Sequence, residues 1–331
     1  MSIRSFAQRI SLGAVVFASL LINAGNAHAC SAKLSSTGAV YAKIQDAFLA
    51  SAMVDTIVVD GLSGVCNENI ILDNSRLRTI LTGINNAVIA GNSLSATIDS
   101  RTKGTVIQNL LINGGQNGII IQRNANTIVD NVTVQSAVNN GIFIHQFAFG
   151  VVQNSIIQNN GNHGIMVAEG AGARIGINQF SDATYRTNYI QYNGANGILI
   201  QNNSTAKIFS NYIISNAKSG IIVEATSSAD VANNVINSNF DGISAKASST
   251  VRLGNAYPPV GVQDYPNITT APNIRNGIVC LTNSSVDGHI GFSSQVTGGY
   301  SQFGGLIING VPANGFSPNC AATVFEAIQV P

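Results

Sequence analysis

Seven Gly-Ile dipeptides recur in register along the chain, with glycines at Gly118, Gly141, Gly164, Gly197, Gly220, Gly242 and Gly277. Four of the intervals between them are 22 or 23 residues, and the other two are 33 and 35. A fixed turn residue recurring at this period is the mark of stacked coils, and the longer intervals fit the same unit carrying an inserted loop. Two residues after each repeated isoleucine stands Ile121, Ile144, Val167, Ile200, Val223, Ala245 or Cys280, while the residue between varies freely. Such alternation over a short β-branched run predicts a strand whose constant positions face a core. Glycine just before that strand suits a turn that needs positive φ or no side chain.

Eight to ten residues upstream of each glycine lies an asparagine: Asn109, Asn131, Asn154, Asn188, Asn211, Asn234 and Asn267. Each precedes a strand-like stretch such as Ser155-Ile156-Ile157 or Tyr212-Ile213-Ile214. An asparagine repeated once per coil can bond the coils above and below it, satisfying backbone that a bend would otherwise bury unpaired. Each unit then has at least two strands, an asparagine turn and a glycine turn, with room for a third strand. One unit cannot bury its apolar face alone, so stacking builds a continuous core.

The segment Asn154 to Val167, NSIIQNNGNHGIMV, resembles one coil of the pectin-lyase-like superfamily, and the likeness runs over about residues 40 to 285. The resemblance implies an all-β, single-stranded right-handed parallel β-helix, or β-solenoid, with an N-terminal capping helix. Tyr41 to Met53 supplies that helix, with Ile44, Ala47, Phe48 and Met53 near one face. The expected organisation is a signal peptide at 1–29, an N-terminal cap at 30–55, the β-helix at 56–290 and a C-terminal cap at 291–331.

The signal is read from Arg4 and Arg9, the apolar run from Leu12 to Ile22, and Ala27-His28-Ala29. It predicts export, to the periplasm or the exterior, and no later stretch reads as a membrane span. Cys30 would follow the cleavage site, but Ala27 stands where a lipobox wants leucine, so lipidation is not expected. Four cysteines allow three pairings. Proximity favours Cys30–Cys66 and Cys280–Cys320, one bridge toward each end of the solenoid, in an oxidising compartment. Charged residues are 9% and the formal net charge is +1, which gives no case for nucleic acid or an anionic membrane and points to neutral partners.

The superfamily mixes lyases, hydrolases, epimerases and inert proteins, so the fold alone does not name a reaction. The column four after each glycine is Gln122, His145, Ala168, Gln201, Glu224, Lys246 and Leu281; the next holds Arg123, Gln146, Glu169, Asn202 and Ala225. Together with Phe143, Phe147 and Phe149 they outline a polar strip that suits a polysaccharide, because amides pair with sugar hydroxyls and aromatics stack on sugar faces. Glycan-binding candidates are therefore Phe143, Phe147, Gln122, Gln201 and Tyr185. Candidates for catalysis are Glu169, Glu224, His145, Lys246 and Arg123, although no catalytic signature is complete.

Asn162-His163-Gly164 resembles the Gly-His-Gly motif of polygalacturonases, and Arg174-Ile175-Gly176 approaches their Arg-Ile-Lys motif without its lysine. His163 also occupies the slot held in other coils by Asn117, Asn140, Asn196, Ser219, Asp241 and Asn276, which suits a turn. Acids are scattered at Asp130, Glu169, Asp182, Glu224, Asp230 and Asp241, with no cluster fit for calcium. No metal and no cofactor is expected. Arg174 and Arg252, each ten residues after its glycine, open the two insertions, which carry Phe180, Asp182, Tyr185, Arg186, Tyr257, Asp264 and Tyr265. The leading expectation is glycan binding without catalysis, the alternative a polysaccharide lyase or hydrolase, and the third a structural or adhesin module.

Overall fold

The computed structural model describes residues 30–177, 186–253, 267–269, 273–289, 306–308 and 324–325. The expected signal peptide, Tyr185 and Cys320 lie outside these residues. Each regular coil contributes three short strands, as in Phe149–Gln153, Ile156–Gln158 and Ile165–Val167. Stacked coils give three sheets of 13, 10 and 9 strands among the described residues, called here the first, second and third sheets. Every pairing among the described residues is parallel except at the start, where Ala32–Leu34 runs antiparallel to both Val40–Tyr41 and Thr56–Asp60. The third strand per coil supplies the remaining wall of the solenoid.

The repeated isoleucines lie in one column of the third sheet, Ile119, Ile142, Ile165, Ile198, Ile221, Ile243 and Ile278, each the register partner of the next. All are buried in one core that runs the length of the stack. Burying each such side chain is worth about 1.5–3 kcal/mol, which no isolated coil could collect. From Gly118 to Gly242 the glycine before each isoleucine is required for space, since none of these glycines has left-handed φ. A Cβ at Gly197 would stand 2.7 Å from the Gly220 carbonyl oxygen and 2.8 Å from the Asn216 amide nitrogen.

Left-handed backbone appears elsewhere, at the corner between the third and first sheets. Pairs such as Gln146–Phe147 (φ 53° and 58°) and Asn202–Asn203 (φ 54° and 59°) turn the chain there. Arg123 and Glu169 occupy the first position of the same turn.

Amide ladders line the other corners. Asn188, Asn211, Asn234 and Asn267 form one between the first and second sheets, each donating its side-chain N–H to the next Oδ1 at 2.8–2.9 Å. The sequence alignment of this column is corrected in three coils. Asn109, Asn131 and Asn154 stand one residue earlier, in left-handed conformation, and Leu110, Val132 and Ser155 hold the ladder positions. A second ladder, Asn160, Asn193, Asn216, Asn239 and Asn273, links the second and third sheets and was not anticipated.

The helix is Ile44–Ala50, and Ile44, Ala47 and Phe48 face the core. Met53 falls outside it and is 65% exposed, because Ser51 already ends the helix in extended conformation. Both helix ends are held by side chains of the following coil. The Glu68 carboxylate accepts from the backbone nitrogens of Ile44 and Gln45, and Arg76 donates to the Leu49 carbonyl. An anion at the N-terminus and a cation at the C-terminus also complement the helix dipole. Beside this cap Cys30 and Cys66 are disulfide-bonded across a separation of 36 residues, a closure worth about 4 kcal/mol in the chain-entropy account. Cys280 is disulfide-bonded and fully buried. At the other end Leu306–Ile308 adds to the second sheet and Val324–Phe325 to the first.

Candidate functional site

The strip read from the sequence follows a corner. His145 and Glu169 are brought together, with Nδ1 3.2 Å from Oε2, and the His145 ring stacks on Phe143 at 4.1 Å. Gln122 donates to Asp99 Oδ1 at 2.7 Å. Phe147 sits in the left-handed turn, 72% exposed, its ring over Gly170. Arg123, on the same turn, is exposed as well. Gln201, Glu224 and Lys246 follow one another on successive coils, and no ion pair joins Glu224 to Lys246 among the described residues. Outward positions of the third sheet close off in the same coils: Leu199, Ile222, Ser244 and Val279 are at most 5% exposed. The strip is therefore not one continuous open face.

His163 stands in an interior ladder. Its backbone nitrogen donates to Asn140 Oδ1, and its Nδ1 accepts from Asn196. Burial, with a smaller contribution from Lys218, pushes its pKa down to about 4. An imidazole so engaged is occupied as a structural acceptor.

A different face gathers charge. Val151, Arg174, Lys207, Asp230 and Arg252 are successive register partners on the first sheet, all outward. The flanking outward column is Phe149, Gly172, Thr205 and Ser228. Arg174, Lys207, Asp230 and Arg252, with Phe149, Thr205 and Ser228, line an open cavity of about 250 Å³ that has Ala173 and Ala206 at its floor. The Phe149 ring fills the space a side chain at Gly172 would take, because a Cβ there would stand 2.9 Å from Cδ2. The Arg174 guanidinium lies over that ring, 5.7 Å from its centroid. Arg252 pairs with Asp230 at 2.7 Å. On one side Ile177, Phe209 and Ala232 form a small apolar cluster outside the main core, at the mouth of the first insertion.

Burial holds the Lys207 ammonium below the usual lysine range; Asp230 opposes the shift, while Arg174 and Arg252 add to it. Three cations within four coils can hold carboxylates, and the hydroxyls of Thr205 and Ser228 can pair with those of a sugar. The sequence reading singled out Arg174 and Arg252 only as the mouths of the two insertions. Lys207 and Asp230 share their offset, ten residues after the repeated glycine, and that shared offset was the available signal.

Residues 168–257 match the family described as right handed beta helix region. The chain is a right-handed parallel β-helix repeat protein. Residues 26–186 are also similar to the family described as periplasmic copper-binding protein (NosD). Among solved structures it is similar to the Azotobacter vinelandii mannuronan C-5 epimerase AlgE6 A-module, at 15% identity and TM-score 0.48, covering 86% of this chain and 93% of that one. An alginate lyase from Paenibacillus sp. str. FPU-7 matches at 14% identity and TM-score 0.40, covering 82% and 94%. No curated protein matches the sequence. The disulfide fits an oxidising compartment, secreted or periplasmic, and no helix among the described residues is long and apolar enough to cross a membrane.

Copper takes imidazole, thiolate and thioether ligands. Among the described residues the one grouping of three His, Cys, Asp or Glu donors is Cys30, Cys66 and Glu68. Both sulfurs are committed to the disulfide, and Glu68 caps the helix. His163 is engaged by Asn196, and His145 by Glu169. The described residues of this β-helix do not fit a copper site.

Proposed function

We propose that this exported β-helix binds a carboxylated polysaccharide in the groove of its first sheet. The observation that carries the reading is the column Arg174, Lys207 and Arg252, aligned along the axis beside Phe149 in one cavity. Cations at fixed spacing suit a polymer with repeated carboxylates, and an aromatic wall suits a sugar ring. Near-zero net charge pointed instead to neutral partners; the whole-chain sum hides a column that is locally cationic. Calorimetric titration with oligogalacturonates and oligomannuronates should show saturable binding that neutral glucans do not reproduce. Arg174→Gln and Lys207→Gln should each weaken it about tenfold. Folded protein that ignores every carboxylated glycan in the panel removes the proposal.

A lyase reading has one observation in its favour. The lowered proton affinity of Lys207 leaves more of its amine unprotonated, and so available as a general base, than in an exposed lysine. In that case ultraviolet-absorbing unsaturated ends accumulate with a bound uronide and disappear in Lys207→Gln. Binding without such products leaves the non-catalytic reading.

A further inference from the structure

The corner between the third and first sheets forms a ridge down the stack, and its early coils depart from the later ones. At the second position of this turn stand Asn124, Gly170, Asn203, Thr226 and Ser248, each small or polar. Val54 and Phe147 hold the same position in their coils, at φ 65° and 58°. Left-handed backbone is an outlier for a β-branched or bulky side chain. Yet Val54 is 63% exposed and Phe147 72%. No burial offsets the strain, and strain held at an exposed site points to a function. Met53 and Leu77 are exposed beside Val54, whose nitrogen donates to the Leu77 carbonyl.

Cations stand on the three coils between Val54 and Phe147: Arg78, Lys103 and Arg123. All three are exposed, and none makes a side-chain hydrogen bond or ion pair among the described residues. The nearby acids are engaged: Asp99 by Arg101 and Gln122, Asp73 by the Ser75 nitrogen, and Asp55 by Ser36. The ridge itself carries no acid before Glu169, which His145 holds. From Val54 to Phe147 the run covers four coil steps, about 19 Å.

We infer that this ridge docks the exported protein on an anionic phospholipid surface. Met53, Val54, Leu77 and Phe147 enter the headgroup region, and Arg78, Lys103 and Arg123 pair with phosphates. Apolar insertion joined to basic charge holds a peripheral protein on such a surface, where one signal alone gives marginal binding. A convex edge gives a protein partner little area to bury, and aliphatic Met53, Val54 and Leu77 offer a sugar no π face. The net charge of +1 averages this edge away.

The test is co-sedimentation of protein purified after export with phosphatidylcholine vesicles, plain or containing about one-third phosphatidylglycerol. Wild-type protein should sediment with the anionic vesicles and stay in solution with the plain ones. Arg78→Gln, Lys103→Gln and Arg123→Gln together should weaken binding about a hundredfold, near fivefold per cation. Val54→Asn with Phe147→Asn relieves the left-handed strain, so it should leave the melting temperature unchanged or higher while vesicle affinity falls about tenfold. Unaltered vesicle affinity in that pair would make the ridge merely structural and overturn the inference. Folded wild-type protein that ignores anionic vesicles overturns it as well. So do glutamine variants that lose affinity for oligogalacturonate alone, which would make the ridge part of the glycan path.

Discussion

The imidazole Nδ1 of His163 accepts from both the backbone nitrogen and the side-chain nitrogen of Asn196, each at 3.2 Å. In neighbouring coils an asparagine oxygen does this work: Asn117 Oδ1 accepts from Asn140, and Asn196 Oδ1 accepts from Ser219. Histidine can replace it only while neutral, with its proton on Nε2.

Acid should therefore loosen this coil. The folded-state pKa of about 4 lies below the ordinary histidine value of about 6.5, so the unfolded chain binds the proton more readily. The stability that neutral His163 contributes is intact above about pH 6.5 and is lost as pH falls toward 4, by on the order of 3 kcal/mol. Denaturant unfolding measured across that window in the wild type and in His163→Asn checks it. The asparagine variant should lack this component of the slope.

Gly197→Ala should destabilise the protein by about 1–3 kcal/mol, the usual cost of overpacking, although alanine is harmless at most exposed sites. The added methyl has nowhere to go, with a carbonyl oxygen at 2.7 Å and an amide at 2.8 Å. Thermal unfolding reads the loss directly. An unchanged melting temperature would contradict the close approach of adjacent coils.

The two kinds of corner asparagine should separate in a mutational comparison. Asn211→Ala strips the Asn188 amide of its acceptor and leaves the Ile175 and Phe209 carbonyls without that donor. That should cost on the order of 3 kcal/mol, since buried groups lose their partners. Asn154 is exposed and loses one bond to Asp130, so Asn154→Ala should cost about 1 kcal/mol, chiefly for placing alanine in left-handed backbone. Equal losses at the two positions would contradict the corrected alignment.

Glycan binding in the groove should weaken steeply with salt, because its attraction is carried by partly exposed cations. Raising ionic strength from 0.01 M to 0.15 M shortens the screening length from about 30 Å to about 8 Å. Titrations at both ionic strengths should show a clear drop in affinity, smaller in Lys207→Gln. Salt-independent binding would assign recognition to another face.

What could be read from sequence was the interior. Ile142, Ile165 and Ile198 must repeat because each packs between copies of itself, so their period survives. Outward positions obey no such rule. The column that runs Ile128, Val151, Arg174, Lys207, Asp230 shows no common residue type, and only its constant offset reveals it. The misaligned asparagines have a different cause. Two adjacent corner positions both favour asparagine, one because it tolerates left-handed backbone and the next because its amide bridges coils. Sequence spacing alone cannot tell Asn154 from Asn188.

The ladders have a consequence for the two ends of the stack. In Asn188, Asn211 and Asn234, and again in Asn160, Asn193 and Asn216, each residue donates toward the later coil and accepts from the earlier one. The same amides also donate to backbone carbonyls of the earlier coil, as Asn188 does to Val152, Asn211 to Ile175 and Asn193 to Ile157. A coil removed from either side therefore strands buried N–H donors, which are hard to leave unpaired. Each ladder residue works as a rivet through three layers, and the stack should resist truncation from both directions.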